Sequence, residues 1–159
     1  MLTLLRADDK LLHGQIAFSW VRNLKIQMVL IADDHIAHDE FMKMTLGLSK
    51  PSGVQLKILE VDNAIIFLKE NLNTPIHIMV IVNSIENSYR LMKQIPQISS
   101  LNLGSLRERY DTQVISESVA LRQDEIKLCK DLIDEGKEIE IRMRYDDKKI
   151  LLHTLLKCI

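Results

Sequence analysis

The chain has 159 residues, of which 47% are hydrophobic, and a formal net charge of -1. That is enough apolar material for one domain with a buried core, and it excludes a disordered chain. No overall basic field favours nucleic acid or an anionic lipid surface. Cys129 and Cys158 are too few and too far apart for a disulfide framework or a zinc motif, so they read as packing residues of a reduced, cytoplasmic protein. No apolar run reaches membrane-spanning length, and Asp8–Asp9 argues against a signal peptide.

Taken in order, Met1–Leu5 has the length and bulk of a buried strand. A polar stretch follows, RADDKLLHGQ from Arg6 to Gln15, and Gln15 opens an amphipathic helix carrying Ile16, Ala17, Trp20, Val21 and Leu24. Residues 27–32 form a short strand and residues 39–49 a helix. Pro51-Ser52-Gly53 turns the chain into a strand over 54–59, and a helix over 61–72 stops at Asn73-Thr74-Pro75. The β-branched run 76–82 reads as a central strand. A helix over 84–94 follows, capped by Asn83 or Ser84. Short strands are expected at 100–103, 112–115 and 118–121, then a helix over 122–134 ending at Gly136. Residues 138–143 alternate like a half-exposed strand, and 148–156 form a closing helix. The alternation predicts an α/β fold: one domain over 1–159, an open, mainly parallel sheet with helices on both faces and one antiparallel edge strand. In such sheets ligands gather at the carboxyl ends of the strands, where the Arg6–Gln15 loop lies.

The chemistry of that loop centres on His13. A helix N-terminus offers unpaired N–H groups and the positive end of a dipole to a phosphate, and Gly14 lets the backbone approach it. A neutral imidazole is a nucleophile near pH 7 and can take a phosphoryl group. Arg6 and Lys10 can neutralise the equatorial oxygens, with the amides of Gly14, Gln15 and Ile16 helping. Asp8 or Asp9 can hold the second imidazole nitrogen; Asp8 is the better candidate, and Asp9 reads as a turn or surface residue.

This stretch resembles the phosphorylation-site loop of the IIB component of the mannose/fructose/sorbose-type sugar phosphotransferase system. The family pattern is Arg-x-Asp-Asp-Arg-Leu-x-His-Gly-Gln-Val. It is met here at Arg6, Asp8, Asp9, Leu11, His13, Gly14 and Gln15, with Ile16 conservative and Lys10 in place of the second Arg. Trp20, Asp34, Ala37, Asp39, Pro51 and Gly53-Val54 also fall at similar positions. Asn102-Leu103-Gly104 resembles the family's Asn-Ile-Gly-Gly loop, with Ser105 for the second Gly and Arg109 at that loop's arginine. The resemblance implies that His13 accepts a phosphoryl group from a phosphohistidine of a IIA protein and passes it to a sugar bound by the membrane components IIC and IID. It adds Gly104, Ser105 and Arg109 as candidate phosphate contacts. No cofactor or metal is implied, no direct membrane insertion is expected, and a homodimer is compatible with the reading.

Plainer readings stand beside these. His13 can simply cap the helix, and Arg6 can be a strand-end arginine paired with an aspartate. Asp33-Asp34-His35 with His38-Asp39 has the look of a metal cluster, yet capping or partner docking explains it better. His77 reads as a satisfied core histidine. Arg107 belongs equally to a solvated loop. Two rival functions are a transfer-deficient regulatory or docking relative, and an unrelated doubly wound enzyme that binds a small phosphorylated ligand without covalent modification.

Overall fold

A computed structural model describes residues 1–157. Cys158, expected to be a packing residue, lies outside them. Nine strands are described: β1 (Leu2–Ala7), β2 (Met28–Ala32), β3 (Gln55–Leu59), β4 (Ile78–Val82), β5 (Ser100–Leu103), β6 (Gln113–Val114), β7 (Ala120–Leu121), β8 (Glu138–Ile141) and β9 (Ile150–Leu151). Six helices alternate with them: α1 (Gly14–Leu24), α2 (Glu40–Ser49), α3 (Val61–Glu70), α4 (Ile85–Gln94), α5 (Gln123–Asp134) and α6 (Leu152–Leu156). Seven strands form one sheet in the order β3-β2-β4-β1-β5-β8-β9, parallel except for β9, while β6 and β7 pair as a separate antiparallel ribbon.

Period-two alternation along the strands divides the core. Leu4, Val29, Ile31, Met79 and Ile81 face one side, where Ala17, Trp20 and Val21 of α1 and Leu46 of α2 cover them. Leu5, Ala7, Leu30, Val80 and Leu103 face the other, beneath α3, α4, α5 and α6. Both faces of the central strands are therefore apolar, which is why residues 78–82 read as a continuous buried run.

The crossovers decide where a site can form. β1 lies between β4 and β5. The connection leaving β1 packs α1 on one face, and the connection leaving β4 packs α4 on the other. Two adjacent parallel strands whose connections part to opposite faces leave a crevice at their carboxyl ends. The loop after β1 fills it: the Asp8 N–H donates to the carbonyl of Val82 at the end of β4, 2.9 Å away.

The expected antiparallel edge strand is present, formed by Ile150–Leu151 against Ile141 and Glu140. The closing helix consequently starts at Leu152 rather than 148, because pairing with β8 claims the two residues before it. Residues 138–141 run parallel to β5.

Candidate functional site

The loop after β1 is fixed from below. Leu11 and Leu12 are buried in the core on the α1 side. Leu11 has a positive φ of 56°, a left-handed conformation costly for a non-glycine residue, and its N–H closes a turn onto the Asp8 carbonyl at 3.0 Å. Gly14 follows at φ 43°, where a side chain would be strained. Two buried leucines and two left-handed residues thus present His13 at the N-cap of α1, its side chain 28% exposed. No side-chain capping bond is made, so the plain capping reading of His13 falls away.

The imidazole is oriented by Asp8. His13 Nε2 lies 3.3 Å from Asp8 Oδ2, and the same oxygen accepts from Arg6 Nη2 at 3.0 Å. Where Asp8 is the acceptor of this contact, Nε2 is the donor and the lone pair resides on Nδ1. Asp8 Oδ1 accepts from the Lys10 N–H at 2.9 Å, which completes the anchoring of a fully buried carboxylate. Asp8, rather than Asp9, is the aspartate in contact with the ring. Asp9 instead staples the His13 loop to the loop after β5. Its Oδ2 accepts from the Arg107 backbone N–H at 2.8 Å and from Arg107 Nε at 3.1 Å, and its own N–H donates to the Ser105 carbonyl at 2.7 Å. Arg107 is accordingly ion-paired and still solvated, its side chain 64% exposed, as the loop reading allowed.

Arg6 differs from its expected role as a phosphate contact. Its guanidinium points into the protein: Nη1 donates to Asn102 Oδ1 at 2.5 Å and to the Arg142 carbonyl at 3.0 Å, while Nη2 holds Asp8. It also stacks over Trp20, 5.4 Å from the ring centroid. Burial pushes this guanidinium down from its ordinary pKa, opposed chiefly by the charge of Asp8. Arginine nonetheless stays charged. Its paired-arginine reading describes the structure better than phosphate contact does.

Gly104 and Ser105 lie buried beside the pair. A Cβ on Gly104 would run into Arg6 Nη2 and Asp8 Oδ2 and sit 2.6 Å from Arg6 Cζ, so glycine is required by space rather than by backbone angle. Arg109 is a correction. It forms a two-pronged pair with the buried carboxylate of Glu125, at 2.9 and 3.3 Å, and donates to the Ala120 carbonyl. Glu125 Oε1 also accepts the Arg122 N–H at the start of α5, so Arg109 ties its loop to a helix start and does not face the phosphate site. Of the other candidates, Lys10 is exposed and makes no ion pair among the described residues, and Gln15 is exposed on the first turn of α1. Ile16 is half-buried against the core.

Three residues near the site were not singled out for it in the sequence: Glu140, Arg142 and Tyr145. Arg142 stacks on Trp20 at 4.8 Å and on Tyr145 at 5.2 Å, and Trp20 Nε1 donates to the Met143 carbonyl at 2.9 Å. Trp20 itself is buried in the core on the α1 side. A cleft of about 820 Å³ opens on the far side of the loop after β5, lined among others by Ser105, Arg107, Glu117, Arg142, Met143 and Lys148. His13 is not part of its lining.

The aspartate–histidine cluster after β2 resolves into caps. Asp33 accepts from the N–H groups of His35 and Ile36, Asp39 caps α2 through Met42, and Asp34 accepts from the Val61 N–H, a bond that holds it below the usual carboxylate range. Among the described residues no three His, Cys, Asp or Glu side chains converge as metal ligands would. His77 departs from expectation: it precedes β4, and its buried Nδ1 has no hydrogen-bond partner. No helix among the described residues is long and apolar enough to cross a membrane.

The class defined so far is an open, mainly parallel α/β sheet with a half-exposed histidine at a helix N-terminus beside a switch-point crevice. A family model, the sorbose subfamily IIB component of sugar phosphotransferase systems, matches residues 2–158, and the chain belongs to that family of phosphotransferases, which act in sugar uptake. The chain is 30% identical to a "Probable phosphotransferase enzyme IIB component" of Streptococcus pyogenes serotype M6, over 84% of this chain and 85% of that one. It is 26% identical to the mannose-specific EIIAB component of Escherichia coli K12, over 96% of this chain but only 47% of that protein. The chain thus spans about half the length of that two-part relative. Among solved structures, the IIBSor domain of the sorbose permease from Klebsiella pneumoniae has a TM-score of 0.92 at 21% identity, covering 99% of this chain and 96% of that one. A structure of manxB from Thermoanaerobacter tengcongensis has a TM-score of 0.90 at 29% identity, covering 99% and 95%.

Proposed function

We propose that residues 1–159 act as one IIB unit, a protein-histidine phosphotransferase that carries a phosphoryl group on His13. The donor is a phosphohistidine of a IIA protein, and the acceptor is a sugar held by the membrane components IIC and IID. The protein works in the cytoplasm, peripheral to that complex. The observation that carries the reading is the Asp8–His13 contact, because it leaves Nδ1 with a lone pair at a half-exposed position.

The transfer balances simply. The Nδ1 lone pair forms a bond to phosphorus as the donor's P–N bond breaks, and the departing electron pair returns to the donor imidazole. The His13 ring becomes cationic as the bond forms, since Nε2 keeps its proton. Asp8 at 3.3 Å stabilises that charge. The amide N–H groups of Gly14, Gln15 and Ile16 open α1 without partners in the preceding turn, and they stabilise the equatorial oxygens with Lys10. Arg6 acts through Asp8 and does not touch the phosphoryl group. Its guanidinium is the fixed partner that keeps Asp8 aimed.

The test is to incubate the protein with phosphoenolpyruvate, the general phosphotransferase proteins and a matched IIA, then record intact mass. One added, acid-labile phosphoryl group that is lost in a folded His13→Ala variant is expected. No added mass with a donor proven competent overturns the reading in favour of a docking relative.

A further inference from the structure

Arg6, Asn102 and Glu140 stand side by side on three adjacent strands: Arg6 is in register with Asn102, and Asn102 with Glu140. Alternation turns all three to the α1 side of the sheet, since their neighbours Leu5, Leu101, Leu103, Ile139 and Ile141 pack on the other. All three are buried. A rung of two charges and an amide in a sheet core is costly to desolvate, and packing alone would favour apolar residues there.

The contacts run in one direction. Glu140 Oε1 accepts from Asn102 Nδ2 at 3.3 Å and from Arg142 Nη2 at 3.4 Å. Asn102 Nδ2 also donates to the Arg142 carbonyl at 3.2 Å, so the amide is held with Oδ1 facing Arg6 Nη1. The guanidinium is a rigid fork, and fixing Nη1 fixes Nη2, which holds Asp8. Asp8 Oδ2 is shared between Arg6 and His13. The signs alternate from Asp8 to Arg6, through neutral Asn102, to Glu140 and Arg142. Without the charge of Glu140, Arg142 loses its carboxylate partner and the buried guanidinium of Arg6 has Asp8 as the one carboxylate left in the rung's network. Asp8 is then drawn toward Arg6 and away from Nε2.

We infer that Glu140, acting through Asn102, is a positioning residue that sets the tautomer of His13. This rests on the proposed role of His13 as phosphoryl acceptor. The buried Oε2 of Glu140 has no hydrogen-bond partner, so this carboxylate is not there to satisfy local backbone groups.

The test compares wild type, Glu140→Gln and the charge-moved double variant Asn102→Asp/Glu140→Gln. Long-range proton–nitrogen spectra of the unphosphorylated proteins read the His13 tautomer, and the donor chain reads the rate of phosphoryl uptake. Wild type is expected to hold the Nε2–H form. Glu140→Gln is expected to mix the tautomers and slow uptake about tenfold or more, and the double variant to restore both. A Glu140→Gln protein that keeps the wild-type tautomer overturns the inference, whatever its melting temperature. Should that variant fail to fold, a folded double variant with a mixed tautomer overturns it equally. Absence of uptake in wild type would refute the function proposed for His13, whereas the tautomer comparison would still decide whether Glu140 and His13 are coupled.

Discussion

Gly104→Ala is the smallest change that should reach the site without touching any group that performs chemistry. The new methyl carbon would run into Arg6 Nη2 and Asp8 Oδ2 and lie 2.6 Å from Arg6 Cζ. Ordinary contact between such atoms needs about 3.5 Å, so the buried pair or the Gly104 backbone must yield by about 1 Å. The backbone is held, because the Gly104 N–H donates to the Ala7 carbonyl at 2.9 Å. The side chains must therefore move, and Asp8 is already 3.3 Å from His13 Nε2. A shift of that size breaks the contact and releases the tautomer. Overpacking costs about 1–3 kcal/mol, which for a chain of this length lowers the melting temperature by roughly 3–10 °C. The measurement pairs urea unfolding with the uptake rate at a temperature where the variant is fully folded. Loss of stability together with a slower uptake is expected. An alanine protein with wild-type stability and wild-type uptake would refute the claim that this glycine packs against the Arg6–Asp8 pair.

Further outcomes follow from the same contacts. Asp8→Asn removes the counter-charge of buried Arg6 and should cost about 3–5 kcal/mol along with most phosphoryl uptake; a variant that stays as stable as wild type would mean the pair contributes little. Arg109→Ala should lower stability by about 1–3 kcal/mol while leaving uptake near wild type, because its partner is Glu125; selective loss of uptake would return Arg109 to the phosphate site. Burial raises the Cys129 thiol to about 12 from its ordinary value of 9.0. The raised folded value favours the protonated native state, so this thiol contributes stability that is full below pH 9.0 and is lost as pH rises toward about 12. Peptide mapping after alkylation at neutral pH should find Cys129 unmodified in native protein and modified after unfolding; rapid native labelling would contradict its burial.

The order of elements was legible because strong local signals coincide with tertiary demand. Residues 78–82 are apolar on both faces, Asp39 and Ser84 are true caps, and Gly136 ends α5 at φ 88°. What stayed hidden depends on register. Residues 138–141 alternate Glu and Ile, the pattern of a strand with one wet face, yet Glu140 is buried beside Asn102. No local periodicity tells a solvent-facing glutamate from one in a buried rung. The same limit misdirected Arg6 and Arg109: each has a family-like position, and each is turned by a partner far along the chain, Asn102 and Glu125. An edge strand was expected, but its place at β9 was not legible, because two residues carry no period, only a pairing with β8.

The site turns on one atom. With Nε2 committed to Asp8, the phosphoryl group should arrive on Nδ1 of His13, and nuclear magnetic resonance of the nitrogen-15-labelled phosphoprotein can assign the bonded nitrogen directly. A phosphorus-coupled Nδ1, with Nε2 still protonated, is the predicted result. Phosphorylation at Nε2, or at a residue other than His13, would contradict it and leave Asp8 without the orienting role assigned to it.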